Sequence, residues 1–453
     1  MKGMTLARAA DMLGVPLHGP DAPVGGVSTD TRRMTPDALF FALRGDRFDA
    51  HQVLDRESDL PLAGVVVERP VKHPAPQLLV EDSRRALGRL AAAWRRTFAG
   101  TVIGLTGSNG KTTVKQMLAA ILETEGPTLA TQGNLNNDIG MPLTLLRLAA
   151  EHRYAVIEMG ANHFGEIAYL AGLARPDVAL VTNAGAAHLE GFGDVAGVAR
   201  AKGELFEALA AGAVAVINAD DPWADYWRGL VADHRLLSFG QAAGADVRVI
   251  DVERPRLAIA GREVALSLPL PGRHNVMNAA AAAAVAWALE IAPERIAEGL
   301  ARTEPVAGRL THLQGIGGAM LIDDSYNANP DSVGAAIEFL ANRPGVRYLV
   351  LGDLAELGPS AAEALGRLGA QARASGIDAL LTMGDLARHA SKAFGSGGAH
   401  FDSVEALVNA LEPHLGLGVT VLVKGSRSAG MERVVEALQD DGSNNGGEVR
   451  HAV

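Results

Sequence analysis

Short apolar runs that alternate with helix-like segments are the feature that most restricts the fold of this 453-residue chain. In the middle of the chain these runs are VIGL, AVIEM, VALVT and AVAVIN, at residues 102–105, 155–159, 178–182 and 213–218. Continuous apolar runs separated by helices are typical of a parallel sheet that is covered on both faces. We therefore predict an α/β fold whose central domain contains a mostly parallel sheet.

A second series of the same kind lies closer to the C-terminus. Its apolar runs are AMLID, YLVLG, ALLTMG and VTVLVKG, at residues 319–323, 348–352, 379–384 and 419–425. They predict a doubly wound, Rossmann-like C-terminal domain. Between the two series, residues 246–270 have the pattern of short antiparallel strands. The apolar run Ala279–Leu289 predicts a buried helix, because a transmembrane helix needs about 20 apolar residues.

The first hundred residues predict a small α/β domain. Its strand-like runs are FFAL, GVVV and LLV, at residues 40–43, 64–67 and 78–80, and a helical pattern begins at Asp82. At roughly 150 residues per domain, the length of the chain predicts three domains. We place them at residues 1–98, 99–307 and 308–440. The polar, Gly-rich residues 441–453 predict a disordered tail.

The composition excludes several functional classes. The chain has no cysteine, so disulfides, cysteine-ligated zinc and thiol catalysis are excluded. Its net charge is −11 and it has no long basic run, which argues against nucleic-acid binding. Arg8 and Asp11 interrupt the apolar pattern near the N-terminus, so we predict no signal peptide, no membrane insertion and a cytoplasmic protein.

The segment GLTGSNGKTT, Gly104–Thr113, follows an apolar run and precedes the helix-like VKQMLAAIL. In this context small residues let backbone N–H groups approach phosphate oxygens, and the helix N-terminus favours negative charge. Lys111 can reach the β- and γ-phosphates and Thr112 can ligate Mg²⁺. The strict P-loop pattern requires glycine where this chain has Leu105, so the motor and GTPase pattern is not met. The predicted nucleotide-binding residues of this loop are Thr106, Gly107, Ser108, Asn109, Gly110, Lys111, Thr112 and Thr113.

Acidic and imidazole groups follow neighbouring strand-like runs, where ligands collect in open parallel sheets. Glu158 ends one run and His188 comes shortly after the next. A carboxylate suits Mg²⁺, whereas histidine is a less usual ligand for so hard an ion. Taken alone, without the loop nearby, Glu158 and His188 are better explained as an ordinary surface glutamate and a structural histidine, and Lys202 as a solvated helix residue.

An ordered set of strings resembles the Mur ligase family. The strings are TGSNGKTT, GNLNNDIGMPLTLL, EMGAN, NAGAAHLEGFG, AKGELF, GRHNVMNAAAAA and VAGRL. Three further strings, DDSYNANPDS, LGDLAELG and VLVKGSRS, are similar to the members that add D-alanyl-D-alanine. The resemblance extends from about Ser28 to Val435, and such an ordered set is far more specific than any single motif.

The resemblance implies both an architecture and an activity. An N-terminal domain would bind the UDP end of one substrate, a central domain would bind ATP and Mg²⁺, and a C-terminal domain would bring the amine. The implied reaction is the ATP-dependent joining of D-alanyl-D-alanine to UDP-N-acetylmuramoyl-tripeptide through an acyl phosphate. The predicted partners are therefore small-molecule substrates, and the predicted oligomeric state is a monomer.

The resemblance also implies roles for individual residues around ATP and the metal. Lys111 and Thr112 would contact the ATP phosphates and Mg²⁺, and Glu158 and His188 would be Mg²⁺ ligands. Lys202 is similar to the lysine that the family carbamylates, a change that turns a cation into an anion able to ligate or orient Mg²⁺. The predicted catalytic residues are Lys111, Lys202, His188 and Arg309, and the predicted metal ligands are Thr112, Glu158 and His188.

Other implied contacts lie further along the chain. Asn275 and Asn278 match the asparagines at the adenine, although an N-cap before the Ala-rich helix is an alternative. Arg309 matches the arginine that reaches an ATP phosphate, and Asp324 matches the acidic residue at the ribose. The predicted substrate-binding residues are Ser28, Thr29, Arg32, Asn134, Asn137 and Asn327. One conservative departure is Asp138, where the family is expected to have glutamate.

Two kinds of alternative stay open at this point. Within the same class, the chain could be a Mur ligase that adds another amino acid or a folylpolyglutamate synthetase-like amide ligase. The uridine-like segments STDTR and FFALRGDRFDAH and the string DDSYNANPDS argue against both. From a different class, the chain could be a nucleotide-binding switch that hydrolyses ATP without joining substrates.

Overall fold

The computed structural model describes residues 2–45 and 48–440, so the predicted disordered tail lies outside the described residues. The described part of the chain contains three β-sheets, of five, nine and six strands. All three are mainly parallel and are accompanied by helices, which confirms the predicted α/β fold class.

The first sheet is built from the N-terminal segment and has the order β1-β5-β4-β3-β2. Its strands are β1 (Leu17–His18), β2 (Gly26–Ser28), β3 (Ala38–Phe41), β4 (Leu62–Val67) and β5 (Gln77–Leu79), and its helices are α1 (Leu6–Leu13), α2 (Ala50–Leu54) and α3 (Ser83–Arg95). The three predicted strand-like runs correspond to β3, β4 and β5. Helix α3 begins after Asp82, whose side chain accepts a hydrogen bond from Arg85 N at 2.8 Å, as an N-cap does.

The second sheet has the order β14-β13-β12-β11-β10-β9-β6-β8-β7. Its strands are β6 (Thr101–Thr106), β7 (Thr128–Ala130), β8 (Tyr154–Glu158), β9 (Val178–Val181), β10 (Val214–Asn218), β11 (Arg235–Gly240), β12 (Val247–Asp251), β13 (Arg256–Ile259) and β14 (Arg262–Ala265). Strands β6 to β12 are parallel, whereas β12, β13 and β14 pair antiparallel. The predicted parallel sheet and its antiparallel appendage are therefore confirmed.

Eight helices follow the strands of this sheet within the described residues. They are α4 (Lys111–Glu123), α5 (Gly140–Leu145), α6 (Glu166–Ala174), α7 (Leu189–Phe192), α8 (Val195–Glu207), α9 (Ala224–Leu230), α10 (Arg273–Ala288) and α11 (Pro293–Ala301). Helix α10 contains the predicted buried run, and the side chains of Ala279–Ala286 are at most 1% exposed. None of the described helices is long and apolar enough to cross a bilayer.

The third sheet has the order β15-β16-β20-β17-β18-β19, with β15 antiparallel to its neighbour. Its strands are β15 (Thr311–Gln314), β16 (Met320–Asp324), β17 (Val346–Gly352), β18 (Ala379–Met383), β19 (Gly398–Phe401) and β20 (Val419–Lys424), and its helices are α12 (Pro330–Ala341), α13 (Ala361–Ala374), α14 (Arg388–Phe394), α15 (Val404–Leu411) and α16 (Glu432–Leu438).

Successive residues of β17 pack on opposite faces of the third sheet, as the two-residue period of a strand requires. Leu349 and Leu351 belong to one core with α12, α13 and α14, and Val350 belongs to a second core with α15 and α16. Helices therefore cover both faces, which confirms the predicted doubly wound domain.

The described chain divides into two compact units. One comprises the residues up to Asn183 together with Ala199–Ser267 and Val276–Thr303. The other comprises Ala184–Val198, Leu268–Asn275 and the residues from Glu304 onward. The three sheets fall within residues 1–98, 99–307 and 308–440, and the boundaries of these three domains stay predictions.

Candidate functional site

The loop between β6 and α4 is a tight turn in which two glycines have positive φ and neighbouring residues approach closely. Gly107 has φ 148° and Gly110 has φ 82°, values in the region that favours glycine. A Cβ on Gly107 would lie 1.9 Å from Thr182 Oγ1, and one on Gly110 would lie 2.3 Å from Asn278 Oδ1. Both positions therefore require glycine, for backbone conformation and for close approach.

Two residues after β9 brace this loop. Asn183 accepts hydrogen bonds from Ser108 N through its backbone oxygen at 3.0 Å and from Asn109 N through Oδ1 at 2.9 Å. Thr182 Oγ1 donates to Asn109 O at 2.7 Å. Sequence reasoning missed this role of Thr182 and Asn183, and the only signal was their position at the end of the predicted strand-like run VALVT, with Thr182 as its last residue and Asn183 directly after it.

The backbone N–H groups in the first turn of α4 are the ones that this loop can offer to an anion. Because Ser108 N and Asn109 N donate within the protein, the N–H groups best placed for an anion are those of Lys111, Thr112 and Thr113. They belong to the first helical turn, whose N–H groups have no acceptor within the helix. The helix dipole adds positive potential at the same place. The arrangement is therefore an anion site at a helix N-terminus.

Side chains of the loop complete this site. Lys111 Nζ donates to Gly107 O at 2.6 Å and to Ser108 O at 3.3 Å, so its ammonium lies against the loop backbone. Thr112 and Thr113 are 7% and 8% exposed. Thr106 is fully buried and its Oγ1 donates to Met159 O at 2.8 Å, which uses this hydroxyl within the protein.

Glu158 lies beside this loop, because the register pairs it with Leu105 on the neighbouring strand β6. Its side chain is 2% exposed. Asn136 Nδ2 donates to its Oε1 at 2.8 Å, and Lys115 Nζ lies 3.5 Å from its Oε2. Oε2 accepts no hydrogen bond from the described residues. A buried carboxylate oxygen with unused acceptor capacity fits the oxygen ligand that a hard dication requires.

Asn136 was not among the predicted residues, whereas its neighbours Asn134 and Asn137 were. Asn134 is exposed, and Asn137 Oδ1 accepts from Gly140 N at 2.8 Å at the start of α5. Asn136 is the asparagine that donates to Glu158, at the distance given above. Asp138, the conservative departure, forms a two-point ion pair with Arg84, with Nη2–Oδ1 at 2.6 Å and Nε–Oδ2 at 2.5 Å.

Lys202 lies on α8 with its side chain 1% exposed. Burial, and to a smaller extent the charge of Lys111, lower its pKa to about 7. The carboxylates of Glu204 and Glu166 oppose this effect. A substantial neutral fraction of the amine at neutral pH is the consequence, and a neutral amine is a nucleophile.

His188 lies in the other compact unit and has a left-handed backbone, with φ 54°. Its Nδ1 forms a hydrogen bond with the carboxylate of Glu356, which itself has φ 62°. Glu190 N donates to Glu356 O at 3.2 Å, and Ala186 N donates to Asp331 Oδ2 at 2.9 Å. The contact with Glu356 fixes the ring and leaves Nε2 as the nitrogen that can face a ligand.

Asp324 and Lys424 end the neighbouring parallel strands β16 and β20 and are paired in register. Lys424 Nζ lies 2.5 Å from Asp324 Oδ2 and donates to Asn327 O at 3.1 Å. Asn327 Oδ1 accepts from Ala328 N at 2.9 Å. The predicted residues Asp324 and Asn327 are thus brought together by a lysine that the sequence reasoning did not single out.

The remaining predicted residues have local contacts. The guanidinium carbon of Arg309 lies 4.6 Å from the ring centroid of Tyr326. Ser28 Oγ donates to Asp30 O at 3.0 Å, and Arg32, 86% exposed, pairs with Asp30 at 2.9 Å. Thr29 is half-buried.

The N-cap alternative for Asn275 and Asn278 is wrong. Helix α10 begins at Arg273, so both asparagines lie inside it rather than before it. Asn275 is 4% exposed and its Nδ2 donates to Pro271 O at 2.7 Å. Asn278 packs against Gly110, so its amide lies beside the phosphate-binding loop.

The predicted metal ligands do not form a ready-made cluster. Across residues 2–45 and 48–440, no three or more histidine, aspartate and glutamate side chains are arranged to hold a metal ion. Thr112 and Glu158 lie in one compact unit and His188 in the other. This is compatible with Mg²⁺, which is commonly held by one or two carboxylates together with substrate phosphates.

A parallel sheet with a glycine-rich loop, a lysine and a helix N-terminus at its carboxyl edge defines a nucleotide-binding protein. Comparisons with known proteins make the class more specific. Residues 105–286 match the Mur ligase middle domain, and residues 308–427 match the Mur ligase, glutamate ligase domain.

Individual proteins agree with these domain matches. The UDP-N-acetylmuramoyl-tripeptide--D-alanyl-D-alanine ligase of Escherichia coli (strain K12) is 45% identical over 98% of this chain and 100% of its own length. A crystal structure of MurF from Acinetobacter baumannii is 36% identical, covers 94% of this chain and 97% of its own, and has a TM-score of 0.89. MurF ligase from Thermotoga maritima in complex with ADP is 29% identical, covers 91% and 96%, and has a TM-score of 0.82. The chain belongs to the Mur ligase family.

Proposed function

We propose that this chain joins D-alanyl-D-alanine to UDP-N-acetylmuramoyl-tripeptide, with ATP converted to ADP and phosphate. The main support is the 45% identity to the Escherichia coli ligase of that name over 98% of the chain. The loop geometry adds independent support for the nucleotide. A cytoplasmic location and a monomeric state stay predictions from the sequence.

The nucleotide would bind at the loop after β6. The N–H groups at the start of α4 and the ammonium of Lys111 face the position expected for the phosphates. Asn278 lies beside this loop and is assigned to the adenine. By resemblance alone, Asn275 is also assigned to the adenine, Arg309 to a phosphate and Asp324 to the ribose. The structure of the relative from Thermotoga maritima in complex with ADP supports nucleotide binding of this kind.

Mg²⁺ would be held by Thr112 and Glu158, and His188 is proposed as a further ligand by resemblance alone. The basis is the buried Oε2 of Glu158, which accepts no hydrogen bond from the described residues. When bound, the ion would neutralise charge on the transferred phosphoryl group. The hydrogen bond from Asn136 would keep Glu158 oriented toward it.

Lys202 would act as a carbamate. Carbamate formation needs a neutral amine, which attacks CO₂ and releases a proton, and burial together with Lys111 lowers the pKa of Lys202 to about 7. The product is an anion close enough to Lys111 to be stabilised by its charge. The repulsion between Lys111 and a protonated Lys202 is thereby replaced by an attraction between Lys111 and the carbamate anion.

The proposed reaction needs no protein nucleophile. The tripeptide carboxylate attacks the γ-phosphate of ATP, the bond to the β-phosphate oxygen breaks, and ADP leaves. The neutral amine of D-alanyl-D-alanine then attacks the acyl carbon, and phosphate leaves as the amine loses a proton. Lys111 and Arg309 would reduce the repulsion between carboxylate and triphosphate, since positioning and electrostatics dominate phosphoryl transfer.

The experiment that tests this function is phosphate release from ATP with UDP-N-acetylmuramoyl-tripeptide, adding D-alanyl-D-alanine, single amino acids or glutamate in turn. Turnover only with D-alanyl-D-alanine, with one new amide in the product, is expected. Turnover with another amino acid or with glutamate would support the related ligases instead. Phosphate release that requires no amine would contradict ligation and favour a nucleotide-hydrolysing switch.

Gly107→Ala is expected to weaken ADP binding by at least about 10-fold, since a methyl group at this position meets Thr182 Oγ1 and the backbone has positive φ. Titration of a fluorescent ADP analogue measures the effect. Gly172→Ala is the matched control, because it lies on α6 with nothing within 4 Å of the added Cβ. Equal affinities for the wild type and Gly107→Ala would show that the loop does not bind the nucleotide.

A further inference from the structure

A buried lysine lies beside the proposed metal ligand. Lys115 lies on α4, four residues after Lys111, and the side chains of Lys115 and Glu158 are each 2% exposed. Lys115 Nζ lies 3.5 Å from Glu158 Oε2 and donates to Gly133 O at 3.3 Å. The ammonium and the carboxylate therefore form an ion pair that is shielded from water.

The two oxygens of this carboxylate have different surroundings. Asn136 Nδ2 donates to Oε1 at 2.8 Å, and the backbone N of Glu158 donates to Thr131 Oγ1 at 3.0 Å, so the residue is held in place. Oε2 accepts no hydrogen bond from the described part of the chain, and its 3.5 Å separation from Lys115 is longer than an ordinary hydrogen bond. A second cation can therefore bind Oε2 without displacing Asn136.

We propose that Lys115 is the resident counter-ion of Glu158, which balances the charge of the carboxylate and keeps it oriented when no metal is bound. This inference rests on the proposed function, because it takes Glu158 as a Mg²⁺ ligand. A buried carboxylate without an opposite charge is strongly disfavoured. An enzyme whose metal arrives and leaves with the nucleotide needs another cation at this position for the rest of its cycle.

The same ammonium makes metal binding depend on the nucleotide. Lys115 repels a dication at Oε2, and Coulomb repulsion is strong at short range in a buried site. The phosphates of a bound nucleotide add the negative charge that offsets this repulsion. Mg²⁺ alone should therefore bind weakly to the wild-type chain. Lys115 is a positioning residue in this scheme, because it acts through Glu158 rather than on the substrate.

The test is thermal unfolding of the full chain without nucleotide, in EDTA or in excess MgCl₂ at constant ionic strength. Lys115→Met removes the charge and keeps much of the side-chain volume. In EDTA the variant is expected to unfold at a lower temperature than the wild type. MgCl₂ alone is expected to raise its Tm by roughly 2–4 °C, with no rise in the wild type, because the ion replaces the missing ammonium. An absent rise, or a variant that stays unfolded with and without MgCl₂, would overturn the proposal.

Two further variants separate this role from a merely structural one. Adding Glu158→Gln to Lys115→Met removes the uncompensated carboxylate, so the double variant should regain thermal stability in EDTA and lose its response to MgCl₂. Lys115→Arg keeps the charge and should show no response to MgCl₂ alone. An equal response in the single and double variants would show that the ion does not bind at Glu158, and would overturn the proposal.

The unfolding measurement uses no substrate, so its outcome is independent of the ligase assay. Amide formation by the wild type without a MgCl₂ response in Lys115→Met would overturn the counter-ion role and leave the proposed reaction standing. A MgCl₂ response without amide formation would overturn the reaction and leave the counter-ion role standing.

Discussion

Lys111→Ala is expected to lower the rate of amide formation by at least ~10²-fold, the loss that follows from removing one electrostatic stabiliser of a transition state. The ammonium of Lys111 lies against the loop backbone at Gly107 and Ser108, at the N-terminus of α4. In phosphoryl transfer a cation at this position opposes the negative charge of the triphosphate and of the attacking carboxylate. Steady-state measurement of kcat and KM for ATP gives the size of the loss.

The same lysine also contacts the loop, so its effect on catalysis must be separated from an effect on loop shape. If Lys111 only holds the loop, ADP affinity and kcat/KM should fall by the same factor. If it acts mainly in the transition state, kcat should fall much more than ADP affinity. Lys392→Ala, at an exposed lysine on α14, is the control for loss of a positive charge elsewhere. Near-normal turnover of Lys111→Ala would remove this lysine from the mechanism.

Lys202→Ala is expected to lose activity by a similar factor, ~10²-fold or more, and to be partly rescued by acetate or formate. The rescue follows because a small carboxylate can occupy the space of the missing carbamate and supply its negative charge. Activity of the variant, measured against acetate concentration, should rise and saturate. Arg200→Ala is the matched control, since Arg200 is exposed on the same helix, and it should neither lose activity nor respond to acetate.

The carbamate also predicts a dependence on pH and CO₂ in the wild type. Because the pKa of Lys202 is lowered to about 7, the neutral amine that reacts with CO₂ increases as pH rises through this value and is lost below it. Activity below pH 7 should therefore rise when bicarbonate is added. Full activity of Lys202→Ala without added carboxylate would rule out the carbamate.

The strands were predictable because their signal is local. Continuous apolar runs such as AVIEM and YLVLG mark buried parallel strands, and β8 and β17 lie where these runs predict them. The loop after β6 was predictable for the same reason, since the glycines, the lysine and the following helix are adjacent in sequence. The sequence alone does not show why glycine is needed at positions 107 and 110. The structure gives the reason, because Thr182 lies too close to Gly107, and Asn278 too close to Gly110, for a side chain to fit.

Contacts between distant segments were not predictable. Lys115 pairs with Glu158 across 43 positions, and nothing in the helix α4 distinguishes this lysine from a solvated one until β8 is placed beside it. The pairing of His188 with Glu356 spans 168 positions. Asn136 was missed for another reason, because three asparagines lie within four positions and only the geometry of the turn decides which of them faces Glu158.

The division into two compact units has a practical consequence for spectroscopy. The four tryptophans of the chain are Trp94, Trp223, Trp227 and Trp287. All of them belong to the unit that contains the first two sheets, and none belongs to the unit built on the third. Tryptophan fluorescence therefore reports on the unit that contains the phosphate-binding loop, Lys115 and Lys202, and does not report directly on the doubly wound sheet. Comparing fluorescence with far-ultraviolet circular dichroism during unfolding would assign the damage caused by each variant to one unit or the other.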